Sequence, residues 1–410
     1  MEVYKKHTLK IDWVLIASLA LLFLGYLFFH DLTGGSLFSH NPWDSYTLQA
    51  LAWRDGHTYL AQDYSWLELA VYNGHYYVSF PPVPSLLMLP LTFFAGADTP
   101  NNFMVMLYAL LSVSFAYQCF RKIGTRRSYS IFWAVFLVMG SNMLWMSTSG
   151  GVWFQAQSLN MLFCFAAVYC ILCKKNTVGL ALLALAVGCR PFSVCLLAAA
   201  FLFICIRSQK EAPLQKKLYT VALQLKHLII PILIGCCYLY YNAVRFGNPL
   251  EFGHNYLLEF SDPDAGQFGF QYIMGNATNI FLRPVSILSD GSLSYPAFDG
   301  FLFYIANPIF VVWFVFLVQD IAKKRLTAEK LIIVAGLAAN MLLLLLHKTF
   351  GGWQFGARYT VDLLPYVLGY LLLCKTQKPA KWILFLGAFA VLFNMYGALA
   401  MNFKEGLRLP

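Results

Sequence analysis

The sequence predicts an all-α protein that crosses a membrane many times, with about eleven transmembrane helices. Of the 410 residues, 59% are hydrophobic and only 12% are charged, whereas a soluble domain carries about 25% charged residues. Apolar runs near twenty residues recur along the chain, and each is long enough to cross a hydrocarbon core of roughly 30 Å. Residues 1–410 are therefore interpreted as a single transmembrane domain.

Lysine and arginine residues lie in short clusters between the apolar runs. The clusters fall at residues 5–10, 121–127, 174–175, 207–226, 323–330 and 375–381. Because basic residues collect in cytoplasmic loops, the clusters place the N-terminus inside and the other loops outside. The same clustering accounts for the net charge of +10 without a nucleic-acid partner. Membrane lipids are the expected surroundings.

The apolar runs give the predicted helices in chain order. They are 11–30, 101–120, 131–148, 157–173, two short helices within 177–207, and then 227–245, 301–319, 329–347, 361–374 and 382–400. The break between the two short helices is expected at Arg190-Pro191, since proline removes a backbone donor and clashes with the preceding turn.

Two outer segments and one short apolar run complete the prediction. Residues 31–100 form a first outer loop with interfacial helices, and residues 246–300 form a long outer loop that could fold as a small subdomain. The run 83–97 has only about fifteen residues and contains Pro84 and Pro90, so we expect a half-inserted or interfacial helix there.

The first outer loop carries the carboxylates that most invite a functional explanation. Charged groups beside a bilayer are costly to keep unless something polar binds them. Asp44 follows an Asn-Pro-Trp turn and begins a short amphipathic segment, where a carboxylate is oriented as a helix N-cap. Asp44 is the first candidate for a general base, with Asp63 and Glu68 as further candidates. The alternative interpretation is an amphipathic cap with ordinary turns.

Five basic residues fall on the outer side or at its membrane border. They are Arg190, Arg245, Arg283, Lys348 and Arg358. A lipid phosphate needs cations, and guanidinium groups bind phosphate bidentately. Arg358 closes the glycine-rich run 350–358, whose glycines permit close approach of a ligand. The alternative is that these side chains reach toward lipid headgroups. The histidine spacing predicts no metal site.

Several short motifs resemble the membrane glycosyltransferases of the GT-C superfamily, which includes the protein O-mannosyltransferases and the lipid A aminoarabinose transferase. The motifs are Asp44-Ser-Tyr-Thr-Leu-Gln-Ala, Gly56-His-Thr-Tyr59, Tyr76-Tyr77, Pro81-Pro82-Val-Pro84, Gly-Cys-Arg190-Pro191, Tyr241-Asn-Ala-Val-Arg-Phe-Gly247 and Gly356-Ala-Arg358-Tyr. Many relatives carry Asp-Glu in the first loop, whereas Ser45 follows Asp44 here. Asp63 or Glu68 could then supply a second carboxylate.

The resemblance implies an inverting transfer of a hexosyl or pentosyl group from a polyprenyl-phosphate sugar donor. It implies an active site on the extracytoplasmic face of a multi-pass protein in the bacterial plasma membrane, with Asp44 as general base. Tyr76, Trp353 and Gln354 join the five basic residues as expected substrate-binding residues. The acceptor is a glycan, a lipid-linked molecule or a protein. No cofactor is required, although a divalent metal could help to neutralise the phosphate.

Three other functions stay open at this stage. A transporter or flippase of a lipid-linked saccharide should show broken helices in two related halves, whereas this sequence shows one break. A glycan polymerase or ligase should carry mainly basic residues in its outer loops, whereas the first loop here is rich in carboxylates. A non-catalytic assembly factor is the remaining alternative.

Overall fold

The computed structural model describes residues 12–210, 213, 216–260, 266–289, 291, 293–375 and 377–402. The helices are α1 (Trp13–Leu32), α2 (Ser45–Arg54), α3 (Val83–Ala95), α4 (Asn101–Lys122), α5 (Arg127–Val138), α6 (Met143–Met146), α7 (Val152–Leu172), α8 (Asn176–Val187), α9 (Val194–Lys210), α10 (Lys217–Ala222), α11 (Ile229–Phe246), α12 (Gln271–Ala277), α13 (Phe303–Ala306), α14 (Ile309–Ala322), α15 (Ala328–Leu346), α16 (Leu364–Leu373) and α17 (Lys381–Asn402). The strands are β1 (Leu69–Tyr72), β2 (His75–Val78), β3 (Ser286–Ile287) and β4 (Leu293–Ser294).

The polytopic helical class is confirmed. Within the described residues, 7 helical segments are long and apolar enough to span a membrane. They are Trp13–Leu32, Asn101–Lys122, Val152–Leu172, Pro191–Lys210, Lys217–Phe246, Ala328–Leu346 and Lys381–Asn402. Each remaining predicted segment also contains a helix, although a shorter one. The basic cluster at residues 5–10 lies outside the described residues.

The predicted break at Arg190-Pro191 is present. Helix α8 ends at Val187, and a 3₁₀ turn over Pro191–Ser193 leads into α9. Two predicted boundaries were wrong. The segment 131–148 is interrupted after Val138, and the segment 301–319 contains a long helix only from Ile309, directly after Pro308. Proline is favoured at a helix start because its missing N–H has no intrahelical acceptor there.

Helices α4 and α7 form the centre of the bundle and run parallel. Their N-terminal ends meet where the amide of Gly150 donates to the side chain of Asn102 at 2.7 Å. Both helices therefore end at the same side, where Lys122 and Lys174 lie. At 1.5 Å per residue that side is roughly 30 Å from the N-terminal ends. Apolar surface left exposed on α1 and α11 is the surface expected to face lipid.

The first outer loop folds into α2, a β-hairpin and α3. Strands β1 and β2 pair antiparallel, with Leu69 opposite Val78. The turn between them uses Asn73 at φ 49° and Gly74 at φ 77°, as a two-residue type I′ turn requires. Helix α3 has 13 residues, which span roughly 20 Å. That length is less than the roughly 30 Å hydrocarbon core, and the half-inserted or interfacial position of α3 stays a prediction.

The long outer segment packs against the end of α15. The side-chain amide of Asn276 in α12 donates to the carbonyls of Leu345 at 3.0 Å and His347 at 2.9 Å. Short 3₁₀ turns at His254–Tyr256 and Leu258–Phe260 precede α12, and the β3–β4 hairpin follows it. The segment thereby closes one wall of a large cavity at the N-terminal end of α7.

Candidate active site

The cavity has a volume of about 1030 Å³ and lies between the first outer loop, the start of α7, the Arg190-Pro191 break and the long outer segment. Its charged and imidazole-bearing lining residues are Glu68, Arg190, His254, Glu259, Asp299, His347, Lys348 and Arg358. Three of the five predicted phosphate-binding cations and one of the three predicted carboxylates therefore share one cavity. Trp353, from the same predicted set, also lines it.

Arg358 begins the 3₁₀ turn before α16 and is almost fully buried at 4% exposure. Its Nε and Nη2 donate to the carbonyl of Gly351, the former at 2.7 Å. Its Nη1 donates to Oε1 of Gln157 at 2.9 Å. These acceptors are neutral, so no carboxylate within the described residues pairs with this buried cation.

Arg190 lies on the same cavity wall in a different electrostatic setting. Its Nε donates to Oδ2 of Asp362 at 3.0 Å, and the Asp362 side chain is 1% exposed. Its Nη2 is buried and meets no hydrogen-bond acceptor among the described residues. The guanidinium carbons of Arg190 and Arg358 lie 4.4 Å and 4.9 Å from the centre of the Tyr359 ring. One aromatic ring thus brings two cations together.

Lys348 supplies the third cation. Its Nζ donates to the backbone carbonyl of Glu259 at 2.5 Å, which fixes the ammonium against the long outer segment. Two imidazoles complete this wall, His254 and His347. Burial lowers the pKa of each to about 4, helped for His254 by the neighbouring His347 and Arg190. Both rings are therefore neutral at physiological pH and do not add to the cationic charge.

Glu68 is the predicted catalytic carboxylate that faces the cavity. It directly precedes β1, and its Oε2 accepts a hydrogen bond from Nε1 of Trp153 at 3.3 Å. The side chain is open to the cavity but surrounded by protein on its other sides, and this burial raises the pKa of Glu68. The bond from Trp153 and the charge of Arg358 lower that pKa in turn. A partly desolvated carboxylate with an open lone pair is suited to accept a proton.

Asp44 is fully buried and does not line the cavity. The prediction that it caps a helix is confirmed, because Oδ1 accepts from the amides of Tyr46 at 2.9 Å and Thr47 at 3.2 Å. Oδ2 accepts from the hydroxyl of Thr47 at 2.5 Å and from Nδ2 of Asn101 at 2.9 Å. A carboxylate has about four lone-pair sites, and all are filled here.

The other predicted site residues are not part of the cavity lining, although Arg283 contacts Asp299, which is. Asp63 is exposed on the first loop, and Tyr76 pairs within the hairpin, where its carbonyl accepts from Leu60. Arg245 is buried and donates to the carbonyl of Val78 at 2.9 Å, which ties α11 to β2. Arg283 forms an exposed ion pair with Asp299.

Gln354 has an internal role in the glycine-rich loop. It is fully buried, its Oε1 accepts from the amide of Arg358 at 2.9 Å, and its Nε2 donates to the carbonyl of Phe350 at 2.9 Å. Gln354 therefore shapes the loop that presents Arg358.

The sequence analysis gave no site role to Gln157, Asp362, the two cavity histidines or Tyr359, although Tyr359 ends the motif Gly356-Ala-Arg358-Tyr. Asp362 could have been identified from the sequence, because a carboxylate at the start of an apolar helix needs a polar partner. Gln157 could not, because its partner is 201 residues away.

The described residues contain no group of three or more His, Cys, Asp or Glu side chains placed to hold a metal ion. One Cys-x-x-Cys spacing, Cys170 and Cys173, occurs at the end of α7, and both thiols are free.

Comparisons with known proteins place this arrangement in a structural context. No protein-family model matches the chain, and no curated protein matches it. The crystal structure of the Archaeoglobus fulgidus oligosaccharyltransferase in the apo form is similar, with a TM-score of 0.54 at 12% identity over 98% of this chain and 57% of that one. The chain shares the membrane fold of this oligosaccharyltransferase.

Two further structures of the archaeal enzyme agree. AglB from Archaeoglobus fulgidus in complex with an inhibitory peptide and a dolichol-phosphate gives a TM-score of 0.53 at 13% identity, covering 95% of this chain and 55% of that one. The enzyme tethered with an acceptor peptide gives 0.54 at 12%, covering 96% and 56%. This chain thus spans about 57% or less of these oligosaccharyltransferases. At these identities the likeness shows a shared fold.

Proposed function

We propose that this protein is an integral-membrane glycosyltransferase that transfers a sugar from a polyprenyl-phosphate donor to an acceptor hydroxyl. One observation carries the proposal. Arg358, which is almost fully buried, and Arg190, which is partly buried, line the same cavity as the carboxylate of Glu68. Among the described residues, Arg358 has no acidic hydrogen-bond partner and Nη2 of Arg190 has no acceptor. A phosphate needs the cations, and glycosyl transfer from it needs a base. The shared fold supports this assignment.

The proposed reaction is one inverting displacement. Glu68 takes the proton of the acceptor hydroxyl while the acceptor oxygen forms a bond to the anomeric carbon. The bond from that carbon to the phosphate oxygen breaks, and its electron pair leaves with the lipid phosphate. Arg358 and Arg190 stabilise the growing negative charge on the leaving phosphate. Lys348 adds a third positive charge on the same wall.

In this proposal Asp44 does not contact the substrate and instead holds part of the cavity wall in place. Its hydrogen bond to Asn101 anchors the start of α2, and the neighbouring Trp43 and Asn41 line the cavity. Glu68, from the same predicted set, is the proposed base because it faces the cavity with an oxygen free for a proton. The expected general-base role of Asp44 is the alternative that mutagenesis must decide.

We further propose that the cavity opens on the extracytoplasmic face, in the orientation that the basic clusters favour. The acceptor is then a glycan, a lipid-linked molecule or a protein outside the cytoplasm. We likewise propose that the nucleophile is a hydroxyl group and that the transferred group is a hexosyl or pentosyl residue. The aromatic walls formed by Trp145, Trp153 and Trp353 suit the apolar face of a sugar ring.

Purified protein incubated with a polyprenyl-phosphate sugar and a hydroxyl acceptor tests the proposal. The wild type should release polyprenyl phosphate, and Glu68→Gln should lower kcat by about 100-fold or more, because general-base catalysis contributes at least that factor. Arg358→Met should raise KM for the donor and also lower kcat, because the same cation binds the donor phosphate and stabilises the charge that grows on it as it leaves. Asp63→Asn is the matched control, since it removes an exposed carboxylate from the same loop, and it should keep wild-type rates.

Asp44→Asn separates the two candidate bases. Asparagine is also a good N-cap, so the variant should fold and keep most of its activity. Loss of transfer in folded Asp44→Asn together with full activity in Glu68→Gln would assign the base to Asp44. Absence of any donor consumption by the wild type would contradict the glycosyltransferase assignment and favour the transporter or flippase.

A further inference from the structure

We propose that Gln157 is a positioning residue that holds Arg358 through a neutral amide and thereby keeps the full charge of Arg358 available to the lipid phosphate. The inference rests on the proposed function and deepens it, because it names Arg358 as the principal phosphate-binding cation and Gln157 as the reason. Among the described residues, both side-chain hydrogen bonds of Gln157 go to Arg358, and Gln157 does not line the cavity, so it is not a catalytic residue.

Gln157 makes two hydrogen bonds to Arg358. It lies on α7 and is fully buried. Its Oε1 accepts from Nη1 of Arg358 at 2.9 Å, and its Nε2 donates to the backbone carbonyl of Arg358 at 3.1 Å. One side chain therefore fixes the backbone and the guanidinium of the same residue. Because α7 is a central helix of the bundle, the guanidinium is tied to a rigid element.

The contacts leave part of the guanidinium free. An arginine has five N–H groups in a fixed fork. Nε, one N–H of Nη2 and one N–H of Nη1 are directed to Gly351 and Gln157. The second N–H groups of Nη1 and Nη2 have no acceptor in the part of the chain that the structure describes, and Arg358 lines the cavity. Two such groups are the number that a bidentate phosphate contact uses.

Arg358 also has no acidic hydrogen-bond partner among the described residues, in contrast to Arg190; the carboxylates of Glu68 and Asp362 act on it only through space. Asp362 neutralises Arg190 at 3.0 Å, whereas the hydrogen-bond acceptors of Arg358 among the described residues are an amide oxygen and a backbone carbonyl. A buried cation without a counter-ion is costly, and an incoming phosphate removes that cost. A carboxylate at position 157 would keep an acceptor for Nη1 but would consume the charge, and it would lose the donor to the backbone carbonyl of Arg358.

The substitution Gln157→Glu therefore tests whether Gln157 positions Arg358 while leaving its charge unpaired, or whether Gln157 only fills space in the core. The probe is a polyprenyl phosphate in detergent, compared with the uncharged polyprenol. The wild type should bind the phosphate much more tightly than the alcohol. Gln157→Glu, which keeps an acceptor for Nη1, should weaken phosphate binding by about tenfold or more and leave polyprenol binding unchanged. Gln157→Met should weaken phosphate binding several-fold, because Arg358 loses its support but keeps its charge.

The control is Gln155→Met. Gln155 is on the same helix and equally buried, and its amide donates to the carbonyl of Gly150 at 2.8 Å rather than to Arg358. It should keep wild-type phosphate affinity. A double variant with Arg358→Met provides a second readout, since replacing Gln157 should cost no further affinity once Arg358 is absent.

The outcomes separate this inference from the proposed function. If the wild type binds polyprenyl phosphate no better than polyprenol, the proposed function fails. If the wild type prefers the phosphate and folded Gln157→Glu keeps that preference, only the inference fails. If Gln157→Glu does not fold, wild-type phosphate affinity in Gln157→Met overturns the inference.

Discussion

At the scale of single residues, burial and hydrogen bonding distinguish two carboxylates that the sequence presents alike. Both carboxylate oxygens of Asp44 accept hydrogen bonds from α2 and Asn101, so the charge of Asp44 is satisfied within the fold. Glu68 accepts one hydrogen bond among the described side chains, from Trp153, and faces the cavity. A base must have a free lone pair where the substrate lies. This difference is the reason for preferring Glu68.

The pH dependence of transfer should report on Glu68. A base acts in its deprotonated form, so the rate should fall as the pH drops through the raised pKa of Glu68. Trp153 donates to the carboxylate and lowers that pKa. Trp153→Phe should therefore raise the pKa and move the acid limb of the kcat/KM profile to higher pH.

Trp66→Phe is the control for this profile. Trp66 is an exposed first-loop indole whose Nε1 donates to the carbonyl of Pro42 instead of to Glu68. It should leave the acid limb in place. An unshifted limb in folded, active Trp153→Phe would mean that Glu68 does not control the rate.

At the scale of secondary-structure elements, local signals predicted some features and distant partners decided others. The break at Arg190 was predictable because Pro191 is a local signal. The early end of α5 was not, because the polar residues that follow α5 bind a distant part of the chain. Asn142 pairs with Asn307 through two hydrogen bonds of 2.8 Å across 165 residues. The helical period alone cannot show such a partner.

The same distinction applies to the candidate site. Arg358, Arg190 and Lys348 were predicted because charges near a membrane are rare and therefore conspicuous. Arg245 gave the same signal, but it binds the carbonyl of Val78 and stacks on Tyr241. A buried cation that binds a backbone carbonyl and one that faces a ligand look identical in sequence. Only the packing of α11 against the hairpin separates them.

At the scale of the whole molecule, the cavity and the described basic clusters lie at opposite ends of the bundle. Helix α7 begins at the cavity and ends beside Lys174, and α15 begins near Lys323 and ends beside His347 at the cavity. The separation, roughly 30 Å, matches the hydrocarbon thickness of a bilayer. The thickness is the same for either orientation, so the prediction that the cavity faces away from the cytoplasm depends on the basic clusters.

Cysteine labelling in intact cells tests this orientation. His57 in the first loop and Lys323 after α14 are both exposed. In a background without the exposed Cys236 and Cys237, His57→Cys should react with a membrane-impermeant maleimide from outside. Lys323→Cys should react only after permeabilisation. The reverse pattern would place the cavity in the cytoplasm and contradict an extracytoplasmic reaction.

The position of a bound donor tests the central claim most directly. A structure of the protein with a non-transferable polyprenyl-phosphate sugar analogue should show the phosphate in contact with Arg358 and Arg190 above the Tyr359 ring. The anomeric carbon should lie between that phosphate and the carboxylate of Glu68. A phosphate bound away from both arginines, or an anomeric carbon whose nearest carboxylate is Asp44 or Asp63, would contradict the account.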